Sequence, residues 1–157
     1  MNNPIRVSIF SQDKKTISIV EKVLKKSDEV FLQKKFIDFG DFIKELEVNQ
    51  EDIDIIIIDI TLNGIELLSK LSLDFPNIKK IVITQSDVCI IALDSIKFGV
   101  KAILHYTKIK NELLKAILRV NQKKVYFEES IVFLMVDEIR KKEHKREQYR
   151  LRKESCK

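Results

Sequence analysis

Short apolar runs alternate with longer stretches of helical periodicity along most of the chain. Five runs rich in Val, Ile and Phe are too short for helices and predict strands. The four consecutive isoleucines at residues 55–58 show no polar alternation, which is typical of a strand buried on both faces of a parallel sheet. The predicted strands cover residues 6–10, 30–37, 53–58, 80–84 and 102–105.

The segments between these runs carry apolar residues three and four positions apart, which is the spacing of one helix face. Asp41, Asn63 and Asp87 stand where N-caps are expected, and Gly99 stands at an expected C-cap. Alternating strands and helices predict an α/β fold, namely a (βα)5 doubly wound sheet of five parallel strands.

An additional helix is predicted at the C-terminus, from Glu128 to about Lys153, with an apolar side first and strong charge afterwards. The net charge of +5 comes from this region, because residues 1–137 hold 20 Lys and Arg against 20 Asp and Glu. We therefore expect a domain at residues 1–124, followed by a linker and basic C-terminal helix at residues 125–157. The residues expected on the apolar side of that helix are Ile131, Leu134, Met135 and Ile139.

The composition is that of one folded domain, with 157 residues, 45% hydrophobic, and few Gly and Pro. Two cysteines, Cys89 and Cys156, cannot build a disulfide framework and suit a reducing compartment. No run approaches the roughly 18 apolar residues that span a bilayer, and the N-terminus lacks the pattern of a signal peptide. These features predict a cytoplasmic protein without a membrane partner.

Polar residues at the ends of the predicted strands are the candidates for chemistry, because ligands of doubly wound sheets bind beyond the carboxyl ends of the strands. Asp59 follows the isoleucine run, where a carboxylate is costly unless it is solvated, capping or reactive. The other candidates are Ser11, Gln12 and Asp13 after the first strand, Thr84 at the end of the fourth, and Tyr106 after the fifth.

Several of these segments resemble the receiver domain of bacterial two-component response regulators, which has a CheY-like, flavodoxin-like fold. Residues 54–59 resemble the run that ends in the phosphoaccepting aspartate, and residues 81–84 resemble the strand that ends in the switch hydroxyl. Residues 63–68 and 99–104 resemble the opening of the third helix and the fifth strand. The resemblance extends over about residues 5–122.

Residues 123–131 resemble the linker that follows the receiver domain in NarL/FixJ-type regulators. That linker normally leads to a helix-turn-helix output domain, and this sequence continues instead into the basic helix. The chain is therefore a stand-alone protein, a degenerate regulator or a fragment of a longer one.

The resemblance implies that Asp59 occupies the phosphoacceptor position. In the family this aspartate and two acidic residues after the first strand hold Mg²⁺. The two acidic positions fall on Ser11 and Gln12, which carry no charge. Asp13 lies one position later, so Asp59 and Asp13 form a weak candidate metal pair, and Mg²⁺ is expected only if Asp13 reaches the pocket.

Two further family positions are changed. The fifth-strand lysine that pairs with the phosphoryl group falls on Tyr106, and a phenol cannot replace an ammonium. The switch hydroxyl is present at Thr84, whereas the switch aromatic position holds Ile103. These changes predict a non-enzymatic pseudo-receiver without a cofactor, in which phosphorylation is weakened or lost.

Two surfaces are candidates for binding partners. The pattern at residues 87–98 is apolar on more than one stripe, which favours a homodimer or a regulatory protein partner. Its expected contact residues are Ile90, Ile91, Leu93 and Phe98. The basic tail is interpreted first as a solvated helix face.

Two other functions remain open. The chain could be a working phosphorelay receiver that accepts phosphate on Asp59 from a sensor kinase, with Asp13 as an unusual metal ligand. It could also be a DNA-associated regulator whose basic tail contacts nucleic-acid phosphates.

Overall fold

The computed structural model describes residues 3–60, 64–85 and 94–156 of the chain. Five parallel strands form one sheet in the order β2-β1-β3-β4-β5, so the predicted α/β fold is confirmed. The strands are β1 (Ile5–Phe10), β2 (Val30–Phe36), β3 (Ile55–Ile60), β4 (Lys79–Thr84) and β5 (Ala102–His105). The helices are α1 (Lys14–Leu24), α2 (Phe39–Asn49), α3 (Gly64–Asp74), α4 (Ile109–Asn121) and the C-terminal α5 (Glu129–Ser155).

Helices cover both faces of the sheet and divide the core in two. The first cluster joins α1 and α4 to one face, where Val20 and Leu113 pack near Ile57. The second cluster joins α2, α3 and the start of α5 to the other face, where Phe42 and Ile131 are buried. Residues of the central strand alternate between the clusters, which explains why the isoleucine run has no polar position.

The third strand lies two residues further along the chain than the pattern predicts. Its pairing with β4 continues past the isoleucine run, since Asp59 is paired with Ile83 and Ile60 with Thr84. The expectation that the strand ends at residue 58 is therefore wrong. Asp59 is part of the strand, so its side chain extends from the sheet rather than from a loop.

The N-cap of α2 is Asp38, so the expectation that Asp41 caps this helix is wrong. The Asp38 side chain accepts a hydrogen bond from the Asp41 backbone N–H at 2.9 Å, which places Asp41 in the first turn. The two other expected N-caps, Asn63 and Asp87, lie outside the described residues. Gly99 follows a helical turn at residues 94–97 with φ of 77°, as its expected C-cap position requires.

The beginning of α5 packs against the domain and the rest of it does not. Ile131 is fully buried, and Leu134 and Met135 are half-buried, as expected. Ile139 is 56% exposed, so its expected burial is wrong, because the contact with the core ends before it. The preceding segment adds to the sheet edge, since the Tyr126 backbone N–H donates to the Lys101 carbonyl at 2.9 Å. The helices among the described residues include none that is long and apolar enough to cross a membrane.

Candidate functional site

The side chains of Asp59 and Ser11 meet at the carboxyl end of the sheet. β1 and β3 are neighbours, so the residue that follows β1 lies beside the end of β3. The Ser11 hydroxyl donates to Asp59 Oδ2 at 2.6 Å, and both residues are buried. Ser11 also accepts a hydrogen bond from the Asp13 backbone N–H at 3.0 Å, which fixes the turn into α1.

Burial sets the protonation behaviour of Asp59. Desolvation raises the pKa of the Asp59 carboxyl, and the nearby negative charge of Asp13 raises it further. The hydrogen bond from Ser11 acts in the opposite direction, because it stabilises the charged form. The pKa of Asp59 lies above its ordinary value after these effects, so the buried charge is only partly compensated.

Asp13 is engaged as the N-cap of α1. Its Oδ1 accepts the Lys15 backbone N–H at 3.0 Å, and its Oδ2 accepts the Thr16 hydroxyl at 2.9 Å. The Gln85 side-chain amide donates to the same Oδ2 at 3.3 Å. These hydrogen bonds, with that of Thr16 the largest effect, lower the pKa of the Asp13 carboxyl. The carboxylate is therefore charged and already accepts three hydrogen bonds from the chain.

Sequence reasoning placed Gln85 among the residues at the end of the fourth strand but did not identify Thr16 as part of this network. Thr16 is buried three residues after Asp13, which is the spacing at which a first-turn side chain reaches the cap. That spacing is a signal that could have found it. Gln85 directly follows β4, and only the order of strands in the sheet brings it near Asp13.

A surface cavity of about 360 Å³ opens beside Asp59, between α2 and α3. Gln12 lies on its wall and is exposed. The absence of a side chain at Gly64 lets α3 approach β3, because an added Cβ would overlap with the side chain of Ile60. The residues lining the cavity are Phe10, Gln12, Phe39, Asp59, Gly64, Glu66, Leu67 and Lys70.

The positions expected at the fifth strand are buried in the core or packed on it. Ile103 is fully buried in the second cluster. Tyr106 is half-buried and packs against the first cluster. Thr84 is buried at the end of β4, paired in register with Ile60 and with His105. Lys108, two residues after Tyr106, is exposed.

Ile90, Ile91 and Leu93 lie outside the described residues. Phe98 is half-buried and packs against the second cluster, so much of its ring contributes to the core.

Solved structures with the same architecture are receiver domains. The isolated receiver domain of RcsB from Salmonella enterica serovar Typhimurium matches with a TM-score of 0.74 and 22% identity, over 84% of this chain and 99% of that one. A longer RcsB response regulator from Salmonella typhimurium matches with a TM-score of 0.76 and 22% identity, over 85% of this chain and 67% of that one. The chain has the CheY-like receiver fold.

A two-component response regulator of the LuxR family from Aurantimonas sp. SI85-9A1 shares this receiver fold, with a TM-score of 0.74 and 15% identity over 87% of this chain and 98% of that one. The predicted resemblance to receiver domains is therefore confirmed at the level of the fold. The chain matches no protein-family model and no curated protein sequence.

The receiver fold implies a Mg²⁺ site at Asp59, and the side chains present do not suit that ion. Mg²⁺ requires oxygen ligands in octahedral geometry, usually with more than one carboxylate nearby. Here Asp59 Oδ2 accepts a hydroxyl hydrogen, and both oxygens of Asp13 accept hydrogens from the cap network. Among the described residues, no group of three or more His, Cys, Asp and Glu is placed to hold a metal ion.

Proposed function

We propose that the chain is a pseudo-receiver of two-component signalling, a non-enzymatic cytoplasmic protein that acts by binding a partner. Phosphorylation of Asp59 is weak or lost in this proposal. The observation that carries it is the 2.6 Å hydrogen bond from Ser11 to Asp59. A neutral donor occupies the place where the family has an acidic metal ligand.

The packing of Tyr106 supports the same proposal. In the family, a lysine at this position neutralises the charge of the phosphoryl group. Tyr106 instead contributes to the first core cluster, and its phenol carries no positive charge. Among the described residues, Lys70 is the cation that lines the Asp59 cavity, and it comes from α3 rather than from β5. A phosphoryl group on Asp59 would therefore lack the usual metal and the usual ammonium.

The test is phosphorylation by a small phosphodonor. The protein is incubated with Mg²⁺ and acetyl phosphate and compared by intact mass with an Asp59→Asn variant, alongside a receiver known to be active. We expect no phosphate-sized mass gain in this protein while the active receiver is labelled. A mass gain that disappears in Asp59→Asn contradicts the proposal.

A gain-of-function variant makes the test sharper. Ser11→Asp, Gln12→Asp and Tyr106→Lys together supply the charges that the family has at these positions. We expect this triple variant to label on Asp59, with Ser11→Ala, Gln12→Ala and Tyr106→Phe as the matched control that stays unlabelled. If the triple variant folds and remains unlabelled, the three positions do not explain the loss of phosphorylation.

The alternative function is that of a phosphorelay receiver with Asp13 as the second metal ligand. It is favoured by the closeness of the two carboxyls, since the charge of Asp13 contributes to the raised pKa of Asp59. In that case the wild-type protein is labelled, and labelling disappears in Asp13→Asn as it does in Asp59→Asn. A sensor kinase would then be the physiological phosphodonor.

A further inference from the structure

The C-terminal helix α5 is divided into two halves of opposite character. The first half, residues 128–139, contains four acidic residues and no Lys or Arg, together with the apolar residues of the helix start. The second half, residues 140–153, contains eight Lys and Arg and two Glu. The acidic half and the basic half follow each other directly in one helix of 27 residues, which is about 40 Å long.

The acidic half also carries an exposed apolar surface. Val132, Val136 and Ile139 are 46%, 42% and 56% exposed, and Phe133 is 72% exposed. Three of these side chains line a groove of about 470 Å³ between α5 and the edge of the sheet, where Val125 forms part of the opposite wall. Large apolar side chains grouped in this way usually mark a binding surface.

The basic half of the helix is exposed over its whole length. Every residue from Arg140 to Cys156 is exposed. The contacts that hold it are local ion pairs such as Lys141 with Asp137 at 3.1 Å, and such pairs contribute little to stability. Helices in proteins are stabilised mainly by packing, so this half requires a partner to be stably helical.

We propose that two copies of the chain associate through α5 in antiparallel orientation, so that the acidic, apolar half of each helix lies along the basic half of the other. This deepens the proposed function, because it identifies the partner of a protein that acts by binding. An overlap centred on residue 141 places Glu129 opposite Lys153 of the second copy, and Val132 and Val136 opposite Arg150 and Arg146. Because the pair is symmetric, each of these contacts occurs twice.

Charge complementarity decides the orientation. A parallel pair would place basic half beside basic half, whereas the antiparallel pair places the acidic half of each helix beside the basic half of the other, and basic residues meet each other at the centre, at residues 140–142. The long aliphatic stems of Arg and Lys in the basic half can cover the exposed valines and Phe133 while their charged ends stay in water. A nucleic acid would use only the basic half and would leave this apolar surface without a role.

The first experiment measures the mass of the wild-type chain by sedimentation equilibrium over a concentration series at low and high salt. We expect a dimer that weakens as salt rises, because the charge pairs are solvent-exposed. A monomer at all concentrations overturns the proposal. A monomer that binds a random-sequence DNA duplex with steep salt dependence overturns it in favour of nucleic acid.

Charge reversal tests the pairing itself. Lys153→Glu, and separately Glu129→Lys, place like charges opposite one another in a self-pair. We expect each variant to associate roughly tenfold more weakly than wild type, because the changed pair occurs twice, and an equimolar mixture of the two to regain the dimer. Failure of the mixture to associate, with both variants folded by circular dichroism, overturns the proposal.

Cross-linking tests the orientation. Glu129→Cys and Lys153→Cys are prepared in separate chains that also carry Cys156→Ser, then mixed and treated with a short bis-maleimide. We expect peptide mapping to identify cross-links between positions 129 and 153 of different chains. Cross-links of 129 with 129 and of 153 with 153 instead would show a parallel pair. None of these outcomes depends on phosphorylation, so this proposal and the proposed function can fail separately.

Discussion

At the scale of single residues, Asp59 and Asp13 are neighbouring carboxyls with opposite pKa shifts. Burial raises the pKa of Asp59, so the folded state binds its proton more tightly than the unfolded state does. The charged form therefore destabilises the fold at neutral pH, and this cost disappears as pH falls below the ordinary pKa of an aspartate. Hydrogen bonds lower the pKa of Asp13, so its charge stabilises the fold at neutral pH, and that contribution is lost as pH falls.

The paired variants Asp59→Asn and Asp13→Asn should consequently change stability in opposite directions. At pH 7 we expect Asp59→Asn to raise the free energy of unfolding by about 1 kcal/mol, since it removes a poorly compensated buried charge. We expect Asp13→Asn to lower that free energy. Urea unfolding at pH 7 and near pH 3.5 measures both, and the two differences from wild type should shrink at the acidic pH. A stabilising effect of Asp59→Asn that is independent of pH would contradict this account.

The position of Lys80 illustrates what a residue pattern does not reveal. It belongs to β4 and is buried, and its ammonium donates to the carbonyls of Phe75 and Ile78 at 3.0 Å each. Burial lowers the pKa of Lys80 to about 8. The sequence pattern places this lysine at the start of the predicted strand. It does not show which carbonyls accept its hydrogens, because these contacts form only when the segment before β4 is folded.

At the scale of elements, apolar periodicity was sufficient to predict every strand of the sheet to within about two residues. A continuous apolar run is a strong signal for a central strand, because a strand buried on both faces of the sheet needs apolar side chains at nearly every position. The end of β3 was missed because Asp59 and Ile60 are held in the strand by pairing with β4, which local pattern does not record. The Ser11–Asp59 contact was not predictable either, since it depends on the direction of two side chains from adjacent strands.

The start of α5 should contribute to folding stability, and its exposed middle should not. Ile131 is fully buried in the second cluster, while Ile139 is 56% exposed on the same helix. We expect Ile131→Ala to lower the free energy of unfolding by about 2–4 kcal/mol. Ile139→Ala is the matched control, with an expected change below about 0.5 kcal/mol at concentrations where the chain is monomeric.

Thermal and urea unfolding of these two variants also tests where the folded domain ends. The predicted division of the chain at residue 124 remains a prediction, and the contacts of Phe127 and Ile131 with the second cluster favour a later boundary. Equal stability of Ile131→Ala and wild type would show that the start of α5 is not part of the cooperative fold.

At the scale of the whole molecule, the Asp59 site and the proposed α5 pairing surface have little means of communication. In receiver domains, a shift of the switch hydroxyl is coupled to an aromatic rotamer on the fifth strand. Here that position is Ile103, a β-branched side chain that is fully buried in the same cluster as Ile131. Ile103 has no aromatic ring that could change rotamer as the family residue does, and the packed core around it resists rearrangement.

This separation predicts that changes at Asp59 leave α5 association unaltered. We expect the dimer dissociation constants of Asp59→Asn and Asp59→Glu to lie within about twofold of wild type, whereas Lys153→Glu weakens association roughly tenfold. Sedimentation equilibrium at one salt concentration compares all four proteins. A clear shift in either Asp59 variant would mean that the strand end and the C-terminal helix are coupled by a route other than Ile103. Association through α5 would then depend on the state of the Asp59 carboxylate, so the chain would dimerise conditionally rather than constitutively.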